Sequence, residues 1–298
     1  MEREFCFKDL SPEDLRKLQL RLTAILDEFD SFCKKHNLTY FLTAGSCLGA
    51  IRHQGFIPWD DDLDVCLPRK DYDKLTKLWN KCHPKGDYVL CRPGKDILTG
   101  VHITQIKDSS TTCVYRFSKQ YDICQGIKID VEPLDGAPDS KLGQLRQTFY
   151  ANLYGLFAAQ RVPTHYQPTW KKIVARMVLP VFNHKKFCYK VFSMAEKKVK
   201  KYNIDKCRYV KWNFGAIHQV YEKDVFLPVS YAMFEGKMRP VPHKTDEYLR
   251  LIFNDYMQMP PVEKRIPITK VLAYDLDHSY DEYRKLHNKS RRKSGDNK

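Results

Sequence analysis

The sequence predicts an α/β (α+β) fold: a small mixed sheet with flanking helices and a basic helical elaboration. Three observations point to it. A sustained 3–4 apolar spacing opens the chain, short apolar runs bounded by turn residues follow in series, and a cation-rich aromatic stretch occupies the middle. A length of 298 residues suits one large domain, or one domain with a sizeable addition. Hydrophobic content of 43%, of which aromatics supply 13% of the chain, is ample for a packed core.

Taken in order, Ser11-Pro12-Glu13-Asp14 is a helix start with a cap, an N1 proline and an acidic first turn. Leu15, Leu18, Leu22, Ile25, Leu26 and Phe29 keep helical spacing, and Lys34-Lys35-His36-Asn37 supplies cations and a stop. Tyr40-Phe41-Leu42-Thr43 is an apolar run; Gly45-Ser46 and Cys47-Leu48-Gly49-Ala50 then read as a turn and short helix. Asp62 to Leu67 reads as a strand entering the core, and Tyr72, Leu75, Leu78 and Trp79 mark a second amphipathic helix. Short strands follow at Tyr88–Cys91, Val101–Lys107 and Thr111–Tyr115. Gly126–Val131 alternates apolar and polar residues, and Pro133-Leu134-Asp135-Gly136 reads as its stop.

From Leu145 to Lys206 the chain changes character. Thirteen lysines and arginines stand against Glu196 and Asp205 alone, so most of the net charge of +15 resides here, interleaved with aromatics. Pro180 splits this stretch into at least two helices. Met233–Arg239 is hairpin-like, a Thr245-capped helix runs to Phe253, and Lys289–Lys298 has the composition of a disordered tail. The expected division is a catalytic core over 1–140, a basic helical region over 141–210, a pocket-completing part over 211–285 and a tail over 286–298.

The candidate chemistry lies between residues 45 and 130. On a strand, Asp62 and Asp64 project to one face while Leu63 packs behind them. Two carboxylates held that close repel unless a hard cation sits between them, and Mg²⁺ (or Mn²⁺) suits oxygen ligands. Gly45 lets backbone approach a ligand, and amides opening a helix attract phosphate, which brings in Ser46 as well. Lys128, Asp130 and Glu132 would share the polar face of a later strand, making Asp130 a third ligand if that face is covered; an exposed edge strand would show the same alternation. Lys128 would then hold a phosphate as a point charge. The bland readings are a solvated acidic turn and an ordinary Gly-Ser turn.

The run Gly45-Ser46-Cys47-Leu48-Gly49-Ala50-Ile51-Arg52-His53-Gln54-Gly55-Phe56-Ile57-Pro58-Trp59-Asp60-Asp61-Asp62-Leu63-Asp64 resembles the signature of the LicD family. This family includes bacterial phosphocholine transferases of cell-surface polysaccharides and, more distantly, fukutin-type ribitol-phosphate transferases. Ile129–Gly136 agrees with it, as do Phe234-Glu235-Gly236, Val241-Pro242 and Asp246–Leu249; a departure is Glu132, where the family more often carries an aromatic residue. The resemblance implies a nucleotidyltransferase-like fold acting on a CDP-linked donor. It further implies metal binding by Asp62, Asp64 and Asp130, phosphate contacts from Gly45 and Ser46, and a cationic clamp from Arg52. Asp130 is the expected base for an acceptor hydroxyl; His53 is either a base or a structural hydrogen-bond partner.

The expected reaction moves a substituted phosphate (phosphocholine, glycerol phosphate or a polyol phosphate) to a sugar hydroxyl of a glycan or lipid-linked oligosaccharide. Two alternatives stand beside it: nucleotidyl transfer from a nucleoside triphosphate, and a non-catalytic membrane- or nucleic-acid-binding protein. The basic stretch is either a plain helical layer or a surface for anionic membrane, with nucleic acid the least favoured partner. No apolar run approaches the ~20 residues needed to span a bilayer. The charged Met1-Glu2-Arg3-Glu4 is unlike a secretion signal, and none of the ten cysteines forms a Cys-x-x-Cys pair. A cytoplasmic enzyme, with peripheral contact at the inner membrane face, is the expectation.

Overall fold

A computed structural model of the chain describes residues 11–83, 86–162, 169–182, 184–214, 219–267 and 271–283. The basic tail and the charged N-terminus lie outside the described residues. Helix α1 (Pro12–Lys35) begins at its cap: the Ser11 hydroxyl accepts from the Asp14 N–H at 3.1 Å. Its apolar stripe, including Leu22, Ile25, Leu26 and Phe29, is buried, and each such side chain contributes roughly 1.5–3 kcal/mol of burial.

The main sheet runs β1-β2-β6-β4-β3, where β1 is Phe41–Leu42, β2 Asp64–Pro68, β3 Tyr88–Cys91, β4 Thr104–Asp108 and β6 Ile127–Ala137. Only β2 and β6 run parallel; the other neighbours are antiparallel. Strand β6 is therefore central, and the edge-strand reading of Gly126–Val131 is excluded. Ile127, Ile129 and Val131 are buried in one core with the apolar stripe of α1. Helix α2 (Ala44–His53) follows β1, and α3 (Arg69–Cys82) follows β2, burying Tyr72, Leu75 and Trp79.

Strand β6 also runs further than its sequence suggests, through Pro133 to Ala137. Val131 is its last residue paired with β4, and Asp135 is the first paired with β7 (Tyr209–Lys211), which in turn pairs with β8 (Val220–Glu222). Proline thus falls where that edge of the strand has no partner, the position at which a missing N–H costs little. The other correction at a strand end concerns Asp62, which precedes β2 rather than opening it.

Three helices form the basic layer, in keeping with the expected minimum of two: α4 (Lys141–Ala159), α5 (Thr169–Val178) and, beyond Pro180, α6 (Lys185–Val199). Tyr154, Phe157 and Ala158 of α4 and Cys188, Phe192 and Ala195 of α6 make a second apolar core with Phe214. Beyond it, β9 (Ser230–Phe234) and β10 (Lys237–Val241) form the expected hairpin, turned at Glu235 and Gly236, both at positive φ. Helix α7 (Thr245–Phe253) is not capped by Thr245; that hydroxyl donates instead to the Pro242 carbonyl at 2.6 Å. Strand β11 (Val271–Asp275), which the sequence reading lacked, pairs with β5 (Thr112–Tyr115). No helix among the described residues is long and apolar enough to cross a membrane.

Candidate active site

The parallel pairing of β2 with β6 sets Asp64 directly beside Asp130. In-register neighbours on parallel strands share a face, about 4.8 Å apart. Asp130 N–H donates to the Leu63 carbonyl at 2.9 Å, Thr43 N–H to the Asp64 carbonyl at 3.1 Å, and Asp64 N–H to Ser46 Oγ at 2.9 Å; the first ties β6 to the start of β2 and the others tie β2 to the segment that opens α2. The last uses an acceptor lone pair of Ser46 and leaves its own hydrogen to donate. Leu63 is fully buried while Asp62 and Asp64 keep an accessible edge, so the two acids face the same opening.

The first turn of α2 stands over this pair. Ala44 holds a left-handed φ of 46° and donates its N–H to Tyr248 Oη at 2.9 Å. Thr43 precedes the helix without capping it, so the amides of its first turn receive no side-chain oxygen from that residue. Gly45 is required by close approach: a Cβ there would lie 2.7 Å from Asp60 Oδ2. Further down α2, a Cβ on Gly49 would meet the Gly55 carbonyl at 2.4 Å, which fixes how tightly the signature loop folds back.

Electrostatically the site is crowded with acid. Burial, then Asp62 and Asp61, push the Asp60 carboxyl up to about 8, and burial likewise raises Asp62. Asp64 is held well above the carboxylate range by burial and then by Asp62, Asp130 and Glu132. Burial and Asp130 likewise push Glu132 up to about 8. Lys128 is the cation in contact, with Nζ 2.5 Å from Asp130 Oδ2. Burial opposes its charge, but Asp130 and Asp62 outweigh that and hold it protonated.

Among the described residues, no three His, Cys, Asp or Glu side chains are disposed as a metal cage. Asp130 is paired with the Lys128 ammonium. The chemistry of the acids nevertheless fits a hard divalent ion, since the donors are carboxylate oxygens. Gln105 Oε1 and Glu132 Oε2, on either side of Asp130, are buried without a hydrogen-bond partner, so acceptor capacity is left over.

The remaining sequence candidates fall elsewhere. Arg52 and His53 lie at the far end of α2, six and seven residues beyond Ser46 and therefore about 9–10 Å along the axis. Arg52 Nη1 donates to the Tyr256 carbonyl at 2.8 Å and its Nε to His53 Nε2 at 3.0 Å, so the basic lone pair of His53 is engaged. Sequence reasoning missed Gln105, whose Nε2 holds Asp130 Oδ1 at 2.9 Å, and Tyr115, whose ring lies 5.4 Å from Lys128 Nζ. It also missed His102, whose Nε2 lies 3.0 Å from the Phe214 carbonyl. None belongs to a motif; the alternation of the β4 residues was the one signal for Gln105.

Acids on adjacent parallel strands beneath an uncapped Gly-Ser helix start define the class: a nucleotidyltransferase-like fold. Comparison with known proteins agrees. Residues 37–117 match the family described as LicD/FKTN/FKRP, nucleotidyltransferase domain. The lipopolysaccharide cholinephosphotransferase LicD of Haemophilus influenzae is 29% identical over 269 residues, covering 85% of this chain and 95% of that protein. An uncharacterized protein of Rickettsia prowazekii is 34% identical over 84 residues, 26% of this chain and 32% of its own. Mannosyltransferase regulator 4 of Saccharomyces cerevisiae is 24% identical over 139 residues, 45% of this chain and 11% of its own. The chain is thus similar to the LicD family over residues 37–117, and to one LicD protein over most of its length.

Proposed function

We propose that the protein is a LicD-type phosphotransferase. It moves a substituted phosphate, with phosphocholine, glycerol phosphate and a polyol phosphate as the candidates, from a CDP-linked donor to a sugar hydroxyl of a glycan or lipid-linked oligosaccharide. The observation that carries this reading is the in-register placement of Asp64 and Asp130 beside Ser46. Likeness to a cholinephosphotransferase over most of both chains supports it.

In this reading Asp62, Asp64 and Asp130 hold Mg²⁺ (or Mn²⁺), which when bound neutralises charge on the donor's pyrophosphate. Gly45 and Ser46 present amides and a hydroxyl hydrogen to the phosphates, and Lys128 adds a fixed positive charge beside them. Gln105 keeps Asp130 oriented, so that this carboxylate can accept the proton of the attacking hydroxyl. Arg52 contributes through the Tyr256 main chain, by holding the end of the signature helix in place.

Incubating the protein with Mg²⁺ and a panel of CDP-linked and other nucleotide-linked donors, with a chelator control, tests the proposal. Chelator-sensitive release of CMP is the expected result. Pyrophosphate release from a nucleoside triphosphate would replace it with nucleotidyl transfer, and no nucleotide product from any donor would overturn it.

A further inference from the structure

Helix α5 is amphipathic the wrong way round for a soluble layer. In α1 and α3 most of the apolar residues are buried, but in α5 Ala175 is the buried side chain among those described. Ile173 and Met177, one turn apart, are 52% and 70% exposed, and Val174 is exposed beside them. The apolar surface continues past the helix through Val181, at 71%, and Phe182 to Phe187 at the start of α6, the two rings stacked 5.2 Å apart.

Charge accompanies this surface. Between Thr169 and Lys190 the chain carries Lys171, Lys172, Arg176, Lys185, Lys186 and Lys190 and no acidic residue. Further along α6, Lys190, Lys197, Lys198 and Lys201 line an open groove of about 620 Å³ with Tyr189 and Met194. Exposed aliphatic residues interleaved with cations match one partner in both respects. The apolar side chains enter the boundary between headgroups and acyl chains while the cations meet lipid phosphates. A nucleic acid would use the cations and the rings but gives Ile173, Val174, Met177 and Val181 nothing to bury against.

We infer that the face formed by α5 and the start of α6 docks the protein on the surface of an anionic bilayer. This stands apart from the chemistry proposed for the carboxylate site, because none of these residues belongs to it. Docking needs no membrane-spanning helix: α5 lies in the interfacial plane, and its short apolar face acts together with the cations.

The full chain is sedimented with vesicles of phosphatidylcholine alone and of phosphatidylcholine with phosphatidylserine. Binding is expected to the anionic vesicles, to fall as salt is added, and to be far weaker to neutral ones. Lys185→Glu with Lys186→Glu should weaken it by at least about 5-fold per cation lost. Met177→Asp and, separately, Met177→Gln should weaken it at every salt concentration while leaving the thermal melt unchanged, since the side chain is exposed. Donor turnover on a soluble acceptor should not change in any of these variants. Three results overturn the inference. They are equal or absent binding to both vesicle types, anionic binding unaffected by Met177→Asp and Met177→Gln, and tight salt-dependent RNA binding without vesicle binding. A concentration-dependent dimer dissolved by Met177→Asp, with no vesicle binding, would assign the face to a second copy of the chain instead.

Discussion

Strand β6 carries Asp130 and Glu132 near its middle and Asp135 three residues beyond, and the surroundings of these acids differ in kind. Asp135 is fully buried and completely answered: Arg69 Nε and Nη2 reach its two oxygens at 2.6 and 3.1 Å, and Asn213 adds a third bond at 3.1 Å. Glu196 of α6 takes the free side of Arg69 at 3.2 Å and also pairs with Arg92, while Asp73 lies 3.7 Å from Arg69 and pairs with Lys200, so three cations meet three carboxylates. The Arg69 guanidinium lies 5.0 Å from the Tyr72 ring centre and 5.4 Å from that of Phe214. Around Asp130, by contrast, Asp62, Asp64 and Glu132 crowd a single contacting ammonium, that of Lys128. Neutral, saturated charge holds helices to a sheet. Crowded acids that must hold protons or share one ammonium are costly to the fold, and this is the cost that the divalent ion proposed above would relieve.

Substitutions separate the two clusters. The largest expected effect is on the saturated one: Arg69→Met leaves Asp135 buried and unpaired, which should cost about 3–5 kcal/mol of stability in urea denaturation. Adding Asp135→Leu should recover part of that loss. A midpoint like that of the unmodified protein in Arg69→Met would erase the contrast. Next comes Asp64→Asn, which should lower turnover at least ~10²-fold, on the order of 3 kcal/mol of transition-state stabilisation. Its urea midpoint should be unchanged or higher, because an acid that ionises in the unfolded chain but is pushed toward its protonated form in the fold has gone. Retained turnover with reduced stability would make Asp64 a structural acid like Asp135.

The smallest effect concerns His102, which lies between the clusters: it packs on Phe214, the ring that also carries Arg69, and senses Asp130. Burial, with Arg161 adding to it, lowers the imidazole below its usual value despite the Phe214 carbonyl and Asp130. The unfolded chain therefore takes up a proton near pH ~6.5 before the folded one does, and stability is lost as pH falls from that point. Each group contributes at most ~1.4 kcal/mol per pH unit. His102→Gln should flatten urea midpoints between about pH 6.5 and the lower folded value; an unaltered slope would show that His102 does not set it.

How far these features could be read from the sequence follows from their range. The Ser11 cap and the α1 stripe are local patterns, and both appear where the sequence puts them. Asp62, Asp64 and Ser46 lie within one short stretch, so bringing them together needed no distant partner, although Asp62 stands before β2 and not on it. The length of β6 did not, because Pro133 is tolerated by a gap between β4 and β7 that no local pattern announces. The Arg69–Asp135–Glu196 group was invisible, its partners being 66 and 127 residues from Arg69. Arg52 shows the limit of a motif. It lies within the signature, yet its nearest duty is to the Tyr256 carbonyl.

The position of Glu196 has a consequence for engineering. This single side chain on α6 receives both Arg69 and Arg92, and Lys200 reaches Asp73 of α3 at 2.9 Å nearby. The attachment is thus concentrated in the last turns of one helix, away from α5 and its exposed face. A chimera that exchanges α5 and the first turns of α6 for those of a relative, while keeping Glu196 and Lys200, preserves every charge contact described here between α6 and the sheet and α3. Such swaps offer a route to retargeting where the protein works without redesigning what it does there.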